Sequence, residues 1–228
     1  MKINSDFTKR VVMHGQKLKW QPSPIAGVER RMLDRIGEEV ARATSIVRYA
    51  PCSKFSSHVH SGGEEFIVLE GVFQDEHGNY PVGSYIRNPP QSSHTPGSEE
   101  GCIIFVKLWQ FDQSDRSEVK INIQDIPAIA DPNRLGVSLK RLYKDEREEV
   151  RIEQWEPNTE IKIDALGGAE LLVLEGSFRE GEDHLQAQSW LRLPPSSIAI
   201  AHTGTDGATV WVKKGHLIFE DPNLLRDK

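Results

Sequence analysis

The chain is predicted to be all-β, two tandem barrels of one design, and three observations predict it. First, the second half repeats the first. VLEGVF at 68–73 returns as VLEGSF at 173–178, an offset of 105, and Tyr85-Ile86-Arg87-Asn88-Pro89-Pro90 returns at that offset as Trp190-Leu191-Arg192-Leu193-Pro194-Pro195. Gly62-Gly63 returns as Gly167-Gly168, GVERRML (27–33) as GVSLKRL (136–142), and EEVARA as EEVRIE. Two copies of one fold explain that register. Second, strand-length apolar runs such as FIVLEGVF (66–73) and CIIFVKLWQF (102–111) alternate with turn-forming segments such as DEHGNYPVG. Third, Ile161, Ile163 and Ala165 alternate with Lys162 and Asp164, the period of a half-buried strand. Many short strands with turns between them indicate a barrel or sandwich.

In chain order, residues 1–17 are mixed, with VVM as their apolar cluster, and are expected to lie along a barrel or partner surface. WQPSP (20–24) is turn-rich. ERRMLDRIGEEVARAT carries Met32, Leu33, Ile36 and Val40 at helical spacing, but the repeat favours strands, so a hairpin broken at Gly37 is predicted. SYIR is a short strand, and NPPQSS a loop stiffened by two prolines that delivers His94. Residues 112–133 turn polar and proline-bearing. The predicted domains are therefore 1–118 with an N-terminal extension, a linker at 119–133, and 134–228.

With 228 residues, 37% hydrophobic and 27% charged, the chain has the composition of an ordinary soluble globular protein. Its net charge is −6 and no segment concentrates lysine and arginine, which excludes nucleic acid and anionic membranes as expected partners. MKINSDFTKRVVMHG has no apolar leader core and no run reaches membrane-spanning length, so a cytoplasmic location is expected. Two cysteines, Cys52 and Cys102, are too few for a disulfide framework and are expected to pack as small buried hydrophobes.

The chemistry gathers in HVHSGGE, His58 to Glu64, and in His94. His58 and His60 are two apart and leave one face of a strand. Gly62 and Gly63 permit a tight turn that brings Glu64 back towards them. Three imidazoles and a carboxylate suit zinc, iron, nickel or manganese. Glu65 is the rival carboxylate, but as a strand neighbour it should face the other way. His14, His77, His184 and His216 have no ligand-spaced companions.

These residues resemble the two cupin motifs, G-x5-H-x-H-x3,4-E-x6-G and G-x5-P-x-G-x2-H-x3-N, here spanning Cys52–Gly71 and Gly83–Ser98. Cys52, Gln91 and Ser98 stand where the motifs have glycine, glycine and asparagine. The stretch from Arg48 to Phe111 is similar, more narrowly, to the ChrR-type cupins, which include the C-terminal domain of an anti-sigma factor and stand-alone relatives, some of them dioxygenases of diketones or aromatic ketones. The resemblance implies jelly-roll barrels, with His58, His60, Glu64 and His94 holding one divalent metal per chain. Zinc is the first expectation and iron, nickel or manganese the alternatives.

At the 105 offset the four ligands become Ile163, Ala165, Ala169 and Ala199, so the second barrel is expected to hold no metal. His202 lies near but has no partners. The expected function is that of a metal-binding regulatory or sensor protein. The zinc-binding anti-sigma domain of ChrR is not legible, since the first 50 residues hold no cysteine and only His14. The alternative is a metal-dependent dioxygenase of diketones or related small molecules. Phe66, Tyr85, Arg87, Phe105, Lys107 and Trp109 are candidates to orient such a substrate, each read first as a core or rim residue. A small-molecule ligand in the first barrel, a homodimer and a regulatory protein partner complete the expectations.

Overall fold

In the computed structural model the chain is built of β-strands with short 3-10 turns, and residues 1–38 and 40–219 are described. Among the described residues it forms two compact units, one comprising Met1–Ser5 and 19–124, the other Asp6–Leu18 and 125–219.

The predicted hairpin is present. Val28–Gly37 runs antiparallel to Ala41–Tyr49, from Val28 opposite Tyr49 to Gly37 opposite Ala41. Gly37 turns the chain at φ +116, a conformation side chains rarely adopt. The helical spacing was accidental: Leu33 and Ile36 are buried, but Val40 is exposed.

In the first unit the main sheet runs Lys2–Ile3, Val28–Gly37, Ala41–Tyr49, Cys102–Leu108, Glu64–Asp75, Ser84–Asn88, Val119–Asn122. In the second it runs Ile129–Ala130, Val137–Lys144, Glu149–Trp155, Ser197–Lys214, Ala169–Glu180, Ser189–Leu193, Val11–His14. The two orders correspond strand for strand. The repeat holds in register too, since His94 lies opposite His58 and Ala199 lies opposite Ile163. Each unit closes over its own apolar core. Phe66, Val68, Phe73, Ile86, Ile104 and Val106 make up most of the first, and Ile163, Leu171, Val173, Phe178 and Val210 belong to the second.

The units divide differently from the boundaries drawn on the sequence. Val119–Asn122, within the expected linker, is an edge strand on Ser84–Asn88, and Ile129–Ala130 pairs with Val137–Lys144. The N-terminal segment supplies Val11–His14 to the edge strand Ser189–Leu193 of the second unit, and Phe7 is buried. A bare sheet edge leaves a row of amides and carbonyls unpaired, and these short strands cover it.

Candidate metal centre

His58 sits on the two-residue strand His58–Val59, opposite His94 on Ser93–His94. His60 follows directly, anchored by its amide to Ser92 O (2.9 Å), while its carbonyl accepts from the Gln91 amide (3.0 Å). The chain then turns through Gly62 and Gly63 into the long strand Glu64–Asp75. A side chain at Gly62 would put its Cβ 2.2 Å from the Trp109 ring, and one at Gly63 2.4 Å from the Phe111 ring. The predicted tight turn is therefore enforced by packing as well as by the φ of +76 at Gly63.

The two motif positions without glycine keep the glycine backbone. Cys52 has φ 58 and Gln91 φ 75, a left-handed conformation that costs a side-chain-bearing residue about 1–2 kcal/mol. Ser98 donates to Val72 O at 2.6 Å, tying its segment to the barrel wall. Cys52 is exposed on its turn, which corrects the expectation of burial, while Cys102 is buried with its thiol pushed up to about 11 by desolvation.

The three imidazoles form a near-equilateral triangle, with ring centres 4.8, 5.0 and 4.7 Å apart. One ring nitrogen from each lies within 4.8 Å of the others. Glu64 Oε2 is 3.4 Å from His60 Nε2 and 3.7 Å from His94 Nε2. The three imidazoles are thus brought together, with Glu64 beside His60 and His94. Glu65 points to the opposite face, where it accepts from the Tyr85 hydroxyl.

His60 Nε2 is buried without a hydrogen-bond partner, which ordinarily costs about 1–3 kcal/mol. Burial, with the nearby His58, holds His60 down to about 4, and burial also lowers His94. Both rings are therefore neutral at physiological pH, the state a ligand requires. Burial raises Glu64, opposed by His94 and by the Asn88 amide, which donates to Oε2 at 3.1 Å. A buried carboxylate among neutral imidazoles lacks a positive charge, and a divalent cation fits that deficit.

Of the six candidate substrate-orienting residues, Phe66 belongs to the apolar cluster around Phe73 and Ile86, while Tyr85 and Phe105 are buried outside that cluster. Arg87 pairs with Asp115 (2.6 Å), Lys107 donates to Thr44 (2.9 Å), and Trp109 covers Gly62. Tyr85, Arg87, Phe105 and Lys107 alternate with the inward Ile86, Ile104 and Val106 and so face away from the imidazoles.

Sequence reasoning missed Asn88, Asp75 and an aromatic wall. Asn88 was legible as two residues beyond the inward Ile86. Asp75 was not, because the strand changes parity. Glu64, Phe66 and Val68 face inward, then the register slips at Leu69 between Val68 and Glu70, after which Phe73 and Asp75 face inward. Phe73 is 5.8 Å from the His94 ring, with Phe66 at 4.7 Å and Tyr49 at 5.7 Å from Phe73, and Phe55 at 5.3 Å from Tyr49.

In the second unit Ile163, Ala165, Ala169 and Ala199 are all buried in its core. Leu193 stands opposite Ala169 where Asn88 stands opposite Glu64, so the supporting amide is absent along with the carboxylate. His202 is exposed. His216, taken from its sequence context as unremarkable, is instead buried 3.0 Å from Glu170, which also accepts from Trp190 (3.2 Å).

Residues 8–112, a little under half of the chain, match the family model described as ChrR Cupin-like domain. No curated protein matches the sequence. Among solved structures, a proposed dioxygenase from Nostoc punctiforme superposes with a TM-score of 0.76 at 16% identity, covering 92% of this chain and 84% of that one. A proposed glyoxylate-induced protein from Pseudomonas aeruginosa gives 0.69 at 18% identity, covering 90% and 86%. A cupin 2 conserved barrel domain protein from Leptotrichia buccalis gives 0.60 at 11% identity, covering 90% and 96%. The fold is that of the cupins. No helix among the described residues is long and apolar enough to cross a membrane.

Proposed function

We propose that the first unit binds one divalent metal through His58, His60, Glu64 and His94 and is a metal-dependent enzyme acting on small oxygen-donor molecules, of the dioxygenase type. The observation that carries this is His60 Nε2, buried without a partner and 3.4 Å from the Glu64 carboxylate. The likeness to a proposed dioxygenase over 92% of the chain supports it. So does the aromatic wall of Phe73, Phe66 and Tyr49 beside His94, which suits an apolar ketone or enol body. A bound metal of this kind would polarise a coordinated oxygen donor or supply redox chemistry. The protein's part is to keep His60 and His94 neutral, to hold Glu64 through Asn88 and to shield the site with aromatic rings. Zinc in a tetrahedron would be closed by these four residues, whereas six-coordinate iron, nickel or manganese would leave two positions for substrate.

The match to a ChrR cupin-like model favours a second reading, a regulatory cupin whose metal is structural. Metal analysis of the purified protein, with oxygen uptake measured on a panel of diketones, separates the two. The enzyme reading expects iron, nickel or manganese and uptake that disappears in His60→Ala. Stoichiometric zinc without turnover would support the regulator. No metal at all would sink both.

A further inference from the structure

Asp75 is the inward carboxylate that no motif marks. Its side chain is 4% exposed, and its two oxygens have separate surroundings. Oδ1 accepts from the amides of His77 (2.8 Å) and Gly78 (3.2 Å) and from the Tyr80 hydroxyl (3.1 Å). Those three donors fix the plane of the carboxylate. Oδ2 then faces His94 Nδ1 at 3.5 Å. That nitrogen is buried and makes no hydrogen bond of good geometry, so Asp75 is the acceptor placed for it, and a small rotation of the ring closes the bond. The other ring nitrogen, Nε2, faces Glu64.

We propose that Asp75 is a positioning residue for His94, accepting a hydrogen bond from a proton that stays on Nδ1 and so keeping Nε2 bare and aimed at Glu64 and the other imidazoles. This rests on the metal reading for its purpose but not for its geometry. A ligating histidine commonly donates its second N–H to a carboxylate, which fixes tautomer and ring orientation. Here the bulge at Leu69 makes that possible, because without the change of parity Asp75 would point out of the barrel. Tyr80 takes part at one remove by holding Oδ1.

Asp75→Asn tests the idea with a directional outcome. The three donors at Oδ1 require an acceptor, so the amide oxygen stays there and the NH2 group takes the place of Oδ2. It then donates to Nδ1, and the neutral ring must carry its proton on Nε2, facing Glu64, where it blocks ligation. Two readouts are needed: the ring nitrogen shifts of His94 in chelator-treated protein, and zinc affinity by competition with a chelator. We expect Nδ1–H in the wild type, Nε2–H in Asp75→Asn, and zinc affinity lower in the variant by about 10- to 100-fold. His60→Gln is the control, expected to lose zinc while His94 keeps its tautomer. Nε2–H in the wild type, or a folded Asp75→Asn variant with tautomer and affinity unchanged, overturns the proposal. If Asp75→Asn fails to fold, the wild-type tautomer alone decides. A wild type with Nδ1–H that binds none of zinc, iron, nickel and manganese would sink the metal reading while leaving the Asp75 contact standing.

Discussion

His60 shows what burial does to a single ligand. Its folded-state value lies at about 4, below the ordinary 6.5, because desolvation and His58 both disfavour the imidazolium. A depressed folded value means that the unfolded chain binds the proton more tightly. Stability from this residue is therefore complete above the ordinary histidine range and is lost as pH falls from about 6.5 towards 4. Glu64, raised by burial, works in the opposite sense, so the wild-type profile alone is ambiguous. The difference between wild type and His60→Gln isolates the histidine. Urea midpoints of chelator-treated protein should fall more steeply with acid in the wild type than in the variant over that window. Equal slopes would mean that His60 is not held neutral by its surroundings.

Among the elements, the bulge at Leu69 and the strand Val11–His14 matter most, and neither is written as a motif. The bulge is repeated in the second unit, where the register slips between Val173 and Glu175 and Phe178 again faces the core. Gly71 and Gly176 sit just past it at φ +70, each so close to a facing carbonyl that a Cβ would lie 2.1 or 2.2 Å from the oxygen. The N-terminal strand looked like a surface extension. It is instead the last strand of the second unit's sheet, with Val12 packed on the core and Phe7 buried beneath the Arg192 guanidinium at 4.8 Å. Phe7→Ala should destabilise the protein by about 3 kcal/mol, the usual size for a buried phenylalanine. Urea unfolding followed by tryptophan fluorescence reads this directly, because Trp190 lies opposite Met13 on the neighbouring strand. A change below about 1 kcal/mol would show that the segment is dispensable.

For the whole molecule, the two units share one strand order but not one chemistry. All four ligand-equivalent positions of the second unit are apolar and buried, so no polar atom is left unpaired there. Saturation with metal should therefore give a ratio close to one per chain by elemental analysis, falling to zero in His60→Ala. A ratio near two, surviving that substitution, would break the equivalence between His58 and Ile163. Much of this was legible beforehand. The all-β class, the hairpin at Gly37, the 105-residue register, the three convergent imidazoles and the outward Glu65 all follow from local patterns: strand period, turn residues and ligand spacing.

What the sequence determined by itself was whatever depends on residues near one another in the chain or repeated at a fixed interval. Strand period two, glycine at tight turns and the HxH spacing are local physics, legible without the fold. Tertiary structure alone decided the rest. Cys52 and Gln91 hold left-handed conformations that their residue types do not announce. Val11–His14 and Val119–Asn122 are strands because sheet edges must be covered, a demand set by distant neighbours. His216 is buried beside Glu170, a residue 46 positions away in the chain that only the fold brings to it. Asp75 reaches His94 because one extra residue at Leu69 reverses the faces of the strand. The pleat of that strand is local, but where it breaks is decided by the partner strand across the sheet.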